Sequence, residues 1–298
     1  MLNNSSSLTL KAARQFHRVF PFAQLRTAKW FVKRNPNKEL MSAKLFGYEV
    51  PLQARTTVHV LLLIEGERFV EDRIFLQPYV HEGMTVIDVG ANIGYLTLFF
   101  CRSVGPRGAV FAFEPEPSNF EELARSIVHN QIKWCTPVNF ACGASEKEVG
   151  LSFGLNGHVQ PDGAGPPNCH MVSLDSFVAQ RAIPKIDFVK IDVEGFEADV
   201  LLGMSKTIQR DRPVVYLEVH PPGFCGNGNP QKVCSLLKSY YNSIFAFRIW
   251  GDVRQHLPVW TKIRASLCAD HIVRRECETT LEEVMENRHY RYQLLALP

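Results

Sequence analysis

The sequence predicts an α/β fold in which a mostly parallel sheet carries helices on both faces. Short, nearly continuous apolar runs such as VIDV, VFAF and VVYLEV alternate along the chain with longer segments of helical periodicity. Strands that are covered on both faces have this uninterrupted apolar character. Because helices follow the strands, the connections are crossovers, and crossovers join parallel strands.

The alternation of elements is regular from residue 84 onward, where the first of these runs begins. Apolar β-type runs predict strands at 84–89, 109–114, 136–141, 186–191 and 213–219. Two later runs that are expected to complete the sheet are 245–250 and 292–296. Helical patterns lie between the strands at 93–104, 117–130, 195–203 and 230–241. Upstream, short β-like runs fill 45–64, and a helical pattern fills 67–80.

Residues 1–80 are predicted to form an N-terminal extension, and residues 81–298 the main domain. The first seven residues are polar and are expected to be disordered. Residues 8–34 are basic and aromatic, which predicts one or two helices that pack on the core with their charges in water. The alternative is a helix that binds a membrane surface or a partner. Two stretches rich in Gly and Pro are expected to be loops that shape a site: 154–169 and 221–226.

The amino-acid composition argues against several classes of protein. Apolar residues make up 46% of the chain and charged residues 21%, with a net charge of +3, so a sizeable core is possible and the charge balance does not indicate a nucleic-acid partner. The eight cysteines form no CxxC pair, which favours a reducing compartment over a disulfide framework. No run is long enough to span a membrane or to act as a secretory signal. We therefore expect a cytoplasmic protein.

The stretch TVIDVGANIGYLTLFF, residues 85–100, predicts a nucleoside site. A strand that carries Asp88 leads into a turn with Gly90, Asn92 and Gly94, and a helix follows at once. Asn92 stands where a dinucleotide fingerprint has its second glycine, so the pyrophosphate cradle is poor. An acid ahead of the glycines suits a ligand with a positive or amine-bearing end. S-adenosylmethionine has that character.

The next strand ends in FAFEPEP, and Glu114 in this segment lies twenty residues beyond Gly94. An acid at this position is placed to accept hydrogen bonds from ribose hydroxyls. A carboxylate at the start of the following helix is the simpler explanation for Glu116, which precedes Pro117. We therefore assign the ribose contact to Glu114.

Charged side chains collect at the ends of the two strands that follow. Lys190, Asp192 and Glu194 alternate after one strand, and Glu218 and His220 lie two residues apart at the end of the next. In an open α/β sheet these ends face the ligand crevice. Charges at the end of an apolar strand need a partner or a ligand, and His is a proton acceptor near neutral pH. The five residues are therefore candidates for an active site or for structural ion pairs.

Together these segments resemble the FkbM family of S-adenosylmethionine-dependent methyltransferases. The resemblance runs from about Thr85 to His220 and rests on IDVGANIGYLT, FAFEPEP, SLDSF and KIDVEGFEADVLLG. It implies a Rossmann-like fold with a seven-stranded sheet. It also implies methyl transfer to a hydroxyl of a sugar, glycan or secondary metabolite.

The resemblance also assigns roles to individual residues. The methionine part of the cofactor and the turn would be held by Asp88, Gly90, Asn92 and Gly94. Glu114 would bind the ribose, and Cys142 and Gly143 would contact the adenine through backbone and packing. Asp192 and Glu194 match the second signature of the family, with Glu194 expected at the acceptor.

For the reaction, we expect Asp192 or His220 to take or relay the proton of the acceptor hydroxyl, with Glu218 and Lys190 tuning the site. An alternative is a magnesium ion held by Asp192, Glu218 and His220. Three other functions compete with this interpretation: a nicotinamide-dependent oxidoreductase, a nucleic-acid methyltransferase and a binding module without catalysis. The expected partner is a small-molecule or glycan acceptor.

Overall fold

The structure is a computed structural model, and it describes residues 24–34, 40–67, 75–152, 158–159, 167–222, 228–249, 277–286 and 291–298. Several sequence predictions fall outside these ranges. They are the disorder of the first residues, the basic segment before residue 24, and parts of the 67–80 helix and of the loops at 154–169 and 221–226.

The described chain begins with helix α1, Gln24–Arg34, and a hairpin of β1, Leu40–Leu45, and β2, Tyr48–Gln53. Helix α2, Thr57–Glu65, follows. The prediction of β-like runs up to residue 64 is therefore wrong for this last part. The run TVHVLLLIE is apolar almost throughout, and such a run does not separate a buried strand from a buried helix. The side chain of Thr56 accepts the amide of His59 and starts the helix.

The segment that the sequence predicts as a helix at 67–80 is helical at residues 75–76, and Gln77–Tyr79 form one 3₁₀ turn.

The glycine turn lies between the first strand and the first helix of the regular alternation. The elements that follow are β3, Thr85–Val89; α3, Tyr95–Val104; a 3₁₀ turn, Gly105–Arg107; β4, Ala109–Phe113; α4, Pro117–His129; and β5, Cys135–Val138.

Short strands that the sequence analysis did not predict follow β5. They are β6, Ala141–Cys142; β7, Lys147–Val149; β8, Leu151–Ser152; β9, His158–Val159; and β10, Cys169–Val172. Strand β10 pairs with both β6 and β7, and β8 pairs with β9. The strand predicted at 136–141 thus leaves the central sheet after Val138.

The second half supplies the remaining elements. They are α5, Leu174–Gln180; β11, Phe188–Ile191; α6, Glu197–Leu202; α7, Ser205–Asp211; β12, Val214–Val219; α8, Pro230–Tyr240; β13, Ser243–Arg248; β14, Glu278–Thr279; α9, Leu281–Glu286; and β15, Tyr292–Leu297. In the part of the chain that the structure describes, none of the helices has the length and apolar character needed to cross a bilayer.

The central sheet has the order β5-β4-β3-β11-β12-β15-β13-β14. The first five strands are parallel, and β15 runs antiparallel between β12 and β13. The predicted α/β fold with its seven strands is confirmed, and the two-residue β14 adds a short eighth strand at one edge. The carboxyl ends of four parallel strands, β3, β4, β11 and β12, meet at one edge of the sheet. The motif residues lie at this edge.

The hydrophobic core has two large parts, one on each face of the sheet, and a third, smaller cluster among β6, β7, β8 and β10. Val86 and Phe188 belong to one cluster, and their chain neighbours Ile87 and Val189 belong to the other, as expected when successive side chains of a strand point to opposite faces. The cluster with Val86 also includes buried residues of α1, β1, β2 and α2. The predicted domain division at residue 80 stays a prediction, and one hydrophobic cluster includes residues on both sides of it.

A buried charge cluster joins the extension to α4. Glu122 of α4 has a side chain that is 1% exposed, and its carboxylate lies 2.9 Å from Nε2 of His59 and 3.3 Å from Nε of Arg55. The other ring nitrogen of His59 lies 2.6 Å from the hydroxyl of Thr56. Buried carboxylates need partners of this kind, because an unpaired buried charge is costly.

We predict that Glu122→Ala lowers the free energy of unfolding by about 3 kcal/mol, because it leaves Arg55 and the buried ring of His59 without their carboxylate partner. Urea denaturation measures the change. The matched control is Glu121→Ala, because Glu121 is the exposed neighbour on the same helix. Equal small losses in both variants would contradict the prediction.

Candidate active site

A cleft lies at the carboxyl ends of the parallel strands. Open α/β sheets bind ligands at this edge. The sequence-predicted residues Gly90, Asn92, Glu114, Asp192 and Glu194 line the cleft. The glycine turn and the KIDVEG segment, which are a hundred residues apart in the chain, thus form one site.

The turn after β3 brings two backbone segments into contact. Gly90 has a φ of +76°, and a Cβ atom there would lie 1.8 Å from the carbonyl oxygen of Asp192. Gly94 has a φ of +90°, and its Cβ would lie 2.7 Å from Cδ1 of Leu123. No residue with a side chain fits either position without displacement. Gly90 therefore sets the distance between the turn and the second motif, and Gly94 sets the distance between the turn and α4.

Glu114 fixes the centre of the turn. Its Oε2 accepts the amide of Asn92 at 2.7 Å, and its Oε1 accepts the amide of Glu116 at 3.0 Å. Asn92 has a φ of +52°, a conformation that asparagine tolerates better than most residues. Burial raises the pKa of Glu114 to about 7 against these hydrogen bonds. The carboxylate is thus held rigidly in the cleft and titrates near neutral pH.

Asp88 and Lys190 form a buried ion pair below the cleft. The two residues are opposite each other in the register of β3 and β11, and Nζ of Lys190 lies 3.4 Å from Oδ1 of Asp88. Asp88 also accepts the hydroxyl of Thr97 at 2.7 Å. Burial disfavours the charge of Lys190, but Asp88 and Asp192 outweigh it and raise its pKa. Asp88 contacts these side chains and is not part of the cleft lining.

Lys190 also holds the turn itself. Its ammonium group donates to the carbonyl of Gly90 at 2.8 Å and lies 3.8 Å from Oδ2 of Asp192. The side chain of Asp192 is 35% exposed, whereas Lys190 is 5% exposed. One buried cation thus contacts the turn, the acid below it and the acid at the mouth of the cleft.

His220 is surrounded by carboxylates. It is fully buried, and Nδ1 lies 2.6 Å from Oε1 of Glu197. Its Nε2 lies 3.2 Å from Glu194 and 3.5 Å from Glu218. Burial disfavours the charged ring, but the carboxylates of Glu194 and Glu197 outweigh burial and raise the pKa of His220 to about 10. The surroundings of His220 therefore favour the charged ring at neutral pH.

Glu218 lies between this histidine and Arg291. Burial and the nearby charge of Asp192 raise the pKa of Glu218 to about 7, and Arg291 and His220 act in the opposite direction. Its Oε1 accepts a hydrogen bond of 2.8 Å from Arg291. The structure thus brings Lys190, Asp192, Glu194, Glu218 and His220 to one strand edge, as the sequence predicts.

These residues do not fit a magnesium ion. Atoms of Asp192, Glu218 and His220 lie within 4.8 Å of one another. Magnesium is bound by oxygen ligands, whereas one of these three groups is an imidazole whose Nδ1 already lies 2.6 Å from Glu197. The two acids also have cations beside them already, Lys190 and Arg291. We therefore derive no step that involves a metal.

The comparison with known families decides the assignment. A family model described as the methyltransferase FkbM domain matches residues 88–244, which is 157 of the 298 residues. The chain belongs to the FkbM methyltransferase family. It is an S-adenosylmethionine-dependent methyltransferase with the class I fold, as the resemblance in sequence implies.

Sequence identity to two curated relatives is low. The chain is 28% identical over 185 residues to the hexuronic acid methyltransferase AglP of Haloferax volcanii, an alignment that covers 60% of this chain and 74% of that protein. It is 30% identical over 185 residues to the 31-O-demethyl-FK506 methyltransferase FkbM of Streptomyces tacrolimicus, covering 50% and 71%. The solved structure of an FkbM methyltransferase from Methylobacillus flagellatus gives a TM-score of 0.38 at 17% identity, over 61% of this chain and 47% of that one.

The charge of the cleft in this FkbM-family protein fits a cationic ligand. Its charged lining residues among the described ranges are Glu114, Asp192 and Glu194, all of them acidic. A pyrophosphate would be repelled by such a lining, whereas a sulfonium and an ammonium group are attracted. The residues present therefore fit S-adenosylmethionine.

The lining at the end of the cleft where the sequence predicts the adenine contact was only partly predicted. Cys142 lines the cleft, but Gly143 packs against Met171, where a Cβ would lie 2.4 Å from the sulfur. The apolar residues Phe140, Leu151 and Phe196 also line it and were missed. They lie in turns or very short strands, where hydrophobic periodicity gives no signal.

We predict that Gly90→Ala abolishes cofactor binding and destabilises the fold, because its Cβ overlaps the carbonyl of Asp192. Isothermal titration with S-adenosylmethionine and thermal unfolding measure the two effects.

The matched control is Gly47→Ala. Gly47 also has a positive φ, +86°, but nothing lies within 4 Å of its Cβ position. This substitution should lower the free energy of unfolding by about 1 to 2 kcal/mol through backbone strain alone. The binding of S-adenosylmethionine should be normal. Normal binding by Gly90→Ala would show that the two motifs do not need this contact.

Proposed function

We propose that the protein transfers the methyl group of S-adenosylmethionine to a hydroxyl oxygen of a sugar, glycan or secondary metabolite. The observation that carries the proposal is Asp192, a partly exposed carboxylate that lines the cleft next to the Gly90 turn. A hydroxyl becomes a good nucleophile only as it loses its proton. The names of the two relatives are consistent with an oxygen acceptor, since one specifies a hexuronic acid and the other a 31-O-demethyl substrate.

For the cofactor, we assign the methionine part to the turn of Gly90, Asn92 and Gly94, with Asp88 supporting the turn from below through Lys190. The ribose is assigned to Glu114, whose rigid carboxylate lines the cleft. The adenine is assigned to the apolar end around Phe140 and Cys142, in preference to Gly143.

The bound cofactor supplies a methyl group on a positively charged sulfur, which is a good leaving group. The protein therefore contributes alignment and removal of a proton. We assign proton acceptance to Asp192, since the surroundings of His220, with a carboxylate at each ring nitrogen, favour a charged ring. Glu218 lies within 4.8 Å of Asp192 and, with its pKa of about 7, is the group that can relay the proton. Glu194 lines the cleft and is assigned to the acceptor.

The proposal is tested by incubation of the protein with methyl-labelled S-adenosylmethionine and cell extract separated into small molecules, glycans and nucleic acids. Label on an oxygen of a small molecule or glycan supports it. Label confined to nucleic acid would favour the alternative of a nucleic-acid methyltransferase. Binding of a nicotinamide dinucleotide in place of S-adenosylmethionine would contradict the cofactor assignment.

We predict that Asp192→Asn lowers kcat by about 100-fold or more, the usual contribution of a general base. The dissociation constant of S-adenosylmethionine should change little, because the amide keeps the size of the side chain. Single-turnover rates and calorimetry separate the two effects. The proton-acceptor role is wrong if the folded variant keeps its turnover.

We predict that the affinity for S-adenosylmethionine rises with pH. Two ribose hydroxyls donate to an ionised Glu114, whose pKa is about 7 without ligand, so binding requires loss of that proton. Affinity should be about tenfold weaker at pH 6 than at pH 8. Calorimetry at a series of pH values measures this, and Glu114→Gln should remove the pH dependence. A wild-type affinity that is independent of pH would contradict the ribose assignment.

A further inference from the structure

Glu197 is an acid of the second motif to which the proposed function assigns no role. It is the first residue of α6, and it is 1% exposed. Its Oε1 accepts the amide of Gly195 at 2.9 Å and lies 2.6 Å from Nδ1 of His220. A carboxylate buried to this degree is retained only with partners that compensate its charge.

The surroundings of His220 favour a charged ring. Nδ1 lies 2.6 Å from Glu197, and Nε2 lies 3.2 Å from Glu194 and 3.5 Å from Glu218. An opposite charge at such distances favours the protonated form of an imidazole. A ring protonated on both nitrogens would present a positive charge to all three carboxylates.

We propose that Glu197 and His220 form a positioning pair in which the buried carboxylate of Glu197 keeps the ring charged, and the charged ring holds Glu194 and Glu218 beside Asp192. The inference rests on the proposed function, because its consequence is alignment of the acceptor. Glu194, Glu218 and Asp192 are like charges around one small space, and like charges repel unless a cation lies between them. Glu197 and His220 touch no substrate and act through the acids they hold.

Other charged groups face the same space. Arg291 contacts Glu218 at 2.8 Å, and Lys190 lies 3.8 Å from Asp192. Neither of these contacts reaches Glu194, for which His220 is the cation within ion-pair distance among the described residues. Loss of the pair should therefore displace Glu194 most, at the cleft lining, while the cofactor side of the cleft keeps its contacts.

The test uses Glu197→Gln in the full chain. The amide keeps the size of the side chain and an oxygen that can accept from Gly195, but it removes the charge that faces His220. We expect kcat for the acceptor to fall by about 10-fold to 100-fold, the scale expected for misalignment without loss of a reacting group. The dissociation constant of S-adenosylmethionine should stay within about twofold of the wild-type value. Glu286→Gln is the control, since Glu286 is exposed on α9.

A spectroscopic measurement tests the pair without any acceptor. In the ¹⁵N-labelled wild type at pH 8, ring signals of His220 should show both nitrogens protonated, whereas an ordinary histidine with a pKa near about 6.5 is neutral there. In Glu197→Gln the ring should lose its second proton at a lower pH.

Three results would overturn the inference. They are a neutral His220 in the wild type at pH 8, an unchanged kcat in folded Glu197→Gln, and a loss that falls on cofactor affinity instead. If Glu197→Gln does not fold, the wild-type ring signals still decide the first point. Failure of the proposed function is a separate observation, since it would show as absence of methyl transfer by the wild type while the ring signals still report the pair.

Discussion

The buried ammonium group of Lys190 is the interaction on which the site depends. It lies between Asp88 and Asp192 and donates to the carbonyl of Gly90. A buried charge without partners strongly destabilises the folded protein. The ammonium group is therefore stable in the interior only when the two carboxylates and the carbonyl group lie beside it. Because Gly90 belongs to the cofactor turn and Asp192 to the second motif, this one cation couples the two halves of the catalytic centre during folding.

The sequence predicted the central strands because each is a short apolar run buried on both faces. The prediction failed in segments where hydrophobic periodicity does not identify the type of element. The run 57–65 is apolar almost all round, and periodicity does not distinguish a buried helix from a buried strand. The strands between Ala141 and Val172 are two to four residues long, shorter than any pattern that hydrophobicity can define.

The site was predicted in outline because its residues stand at strand ends, and strand ends of a parallel sheet share an edge. Their roles depend on distances that no sequence contains. Two acids of the DVEGFE segment, three residues apart, differ in position: Glu194 lines the cleft with 19% of its side chain exposed, whereas Glu197 is 1% exposed and lies against His220. His220 was a candidate base by residue type, and only its carboxylate neighbours show that its surroundings favour a charged ring.

Strand β15 connects the parallel strands of the sheet to its antiparallel edge. It follows β13 in the chain but lies between β12 and β13, so these two strands do not pair with each other. Until β15 is inserted, both strands present unpaired edges, which are templates for wrong pairing. Glu218 lies opposite Gln293 in the register of β12 and β15. The strand edge that carries Glu218 is therefore complete only when β15 has paired with both of its neighbours. Pairings of long sequence separation form slowly as a rule, and open strand edges are prone to aggregation until they form.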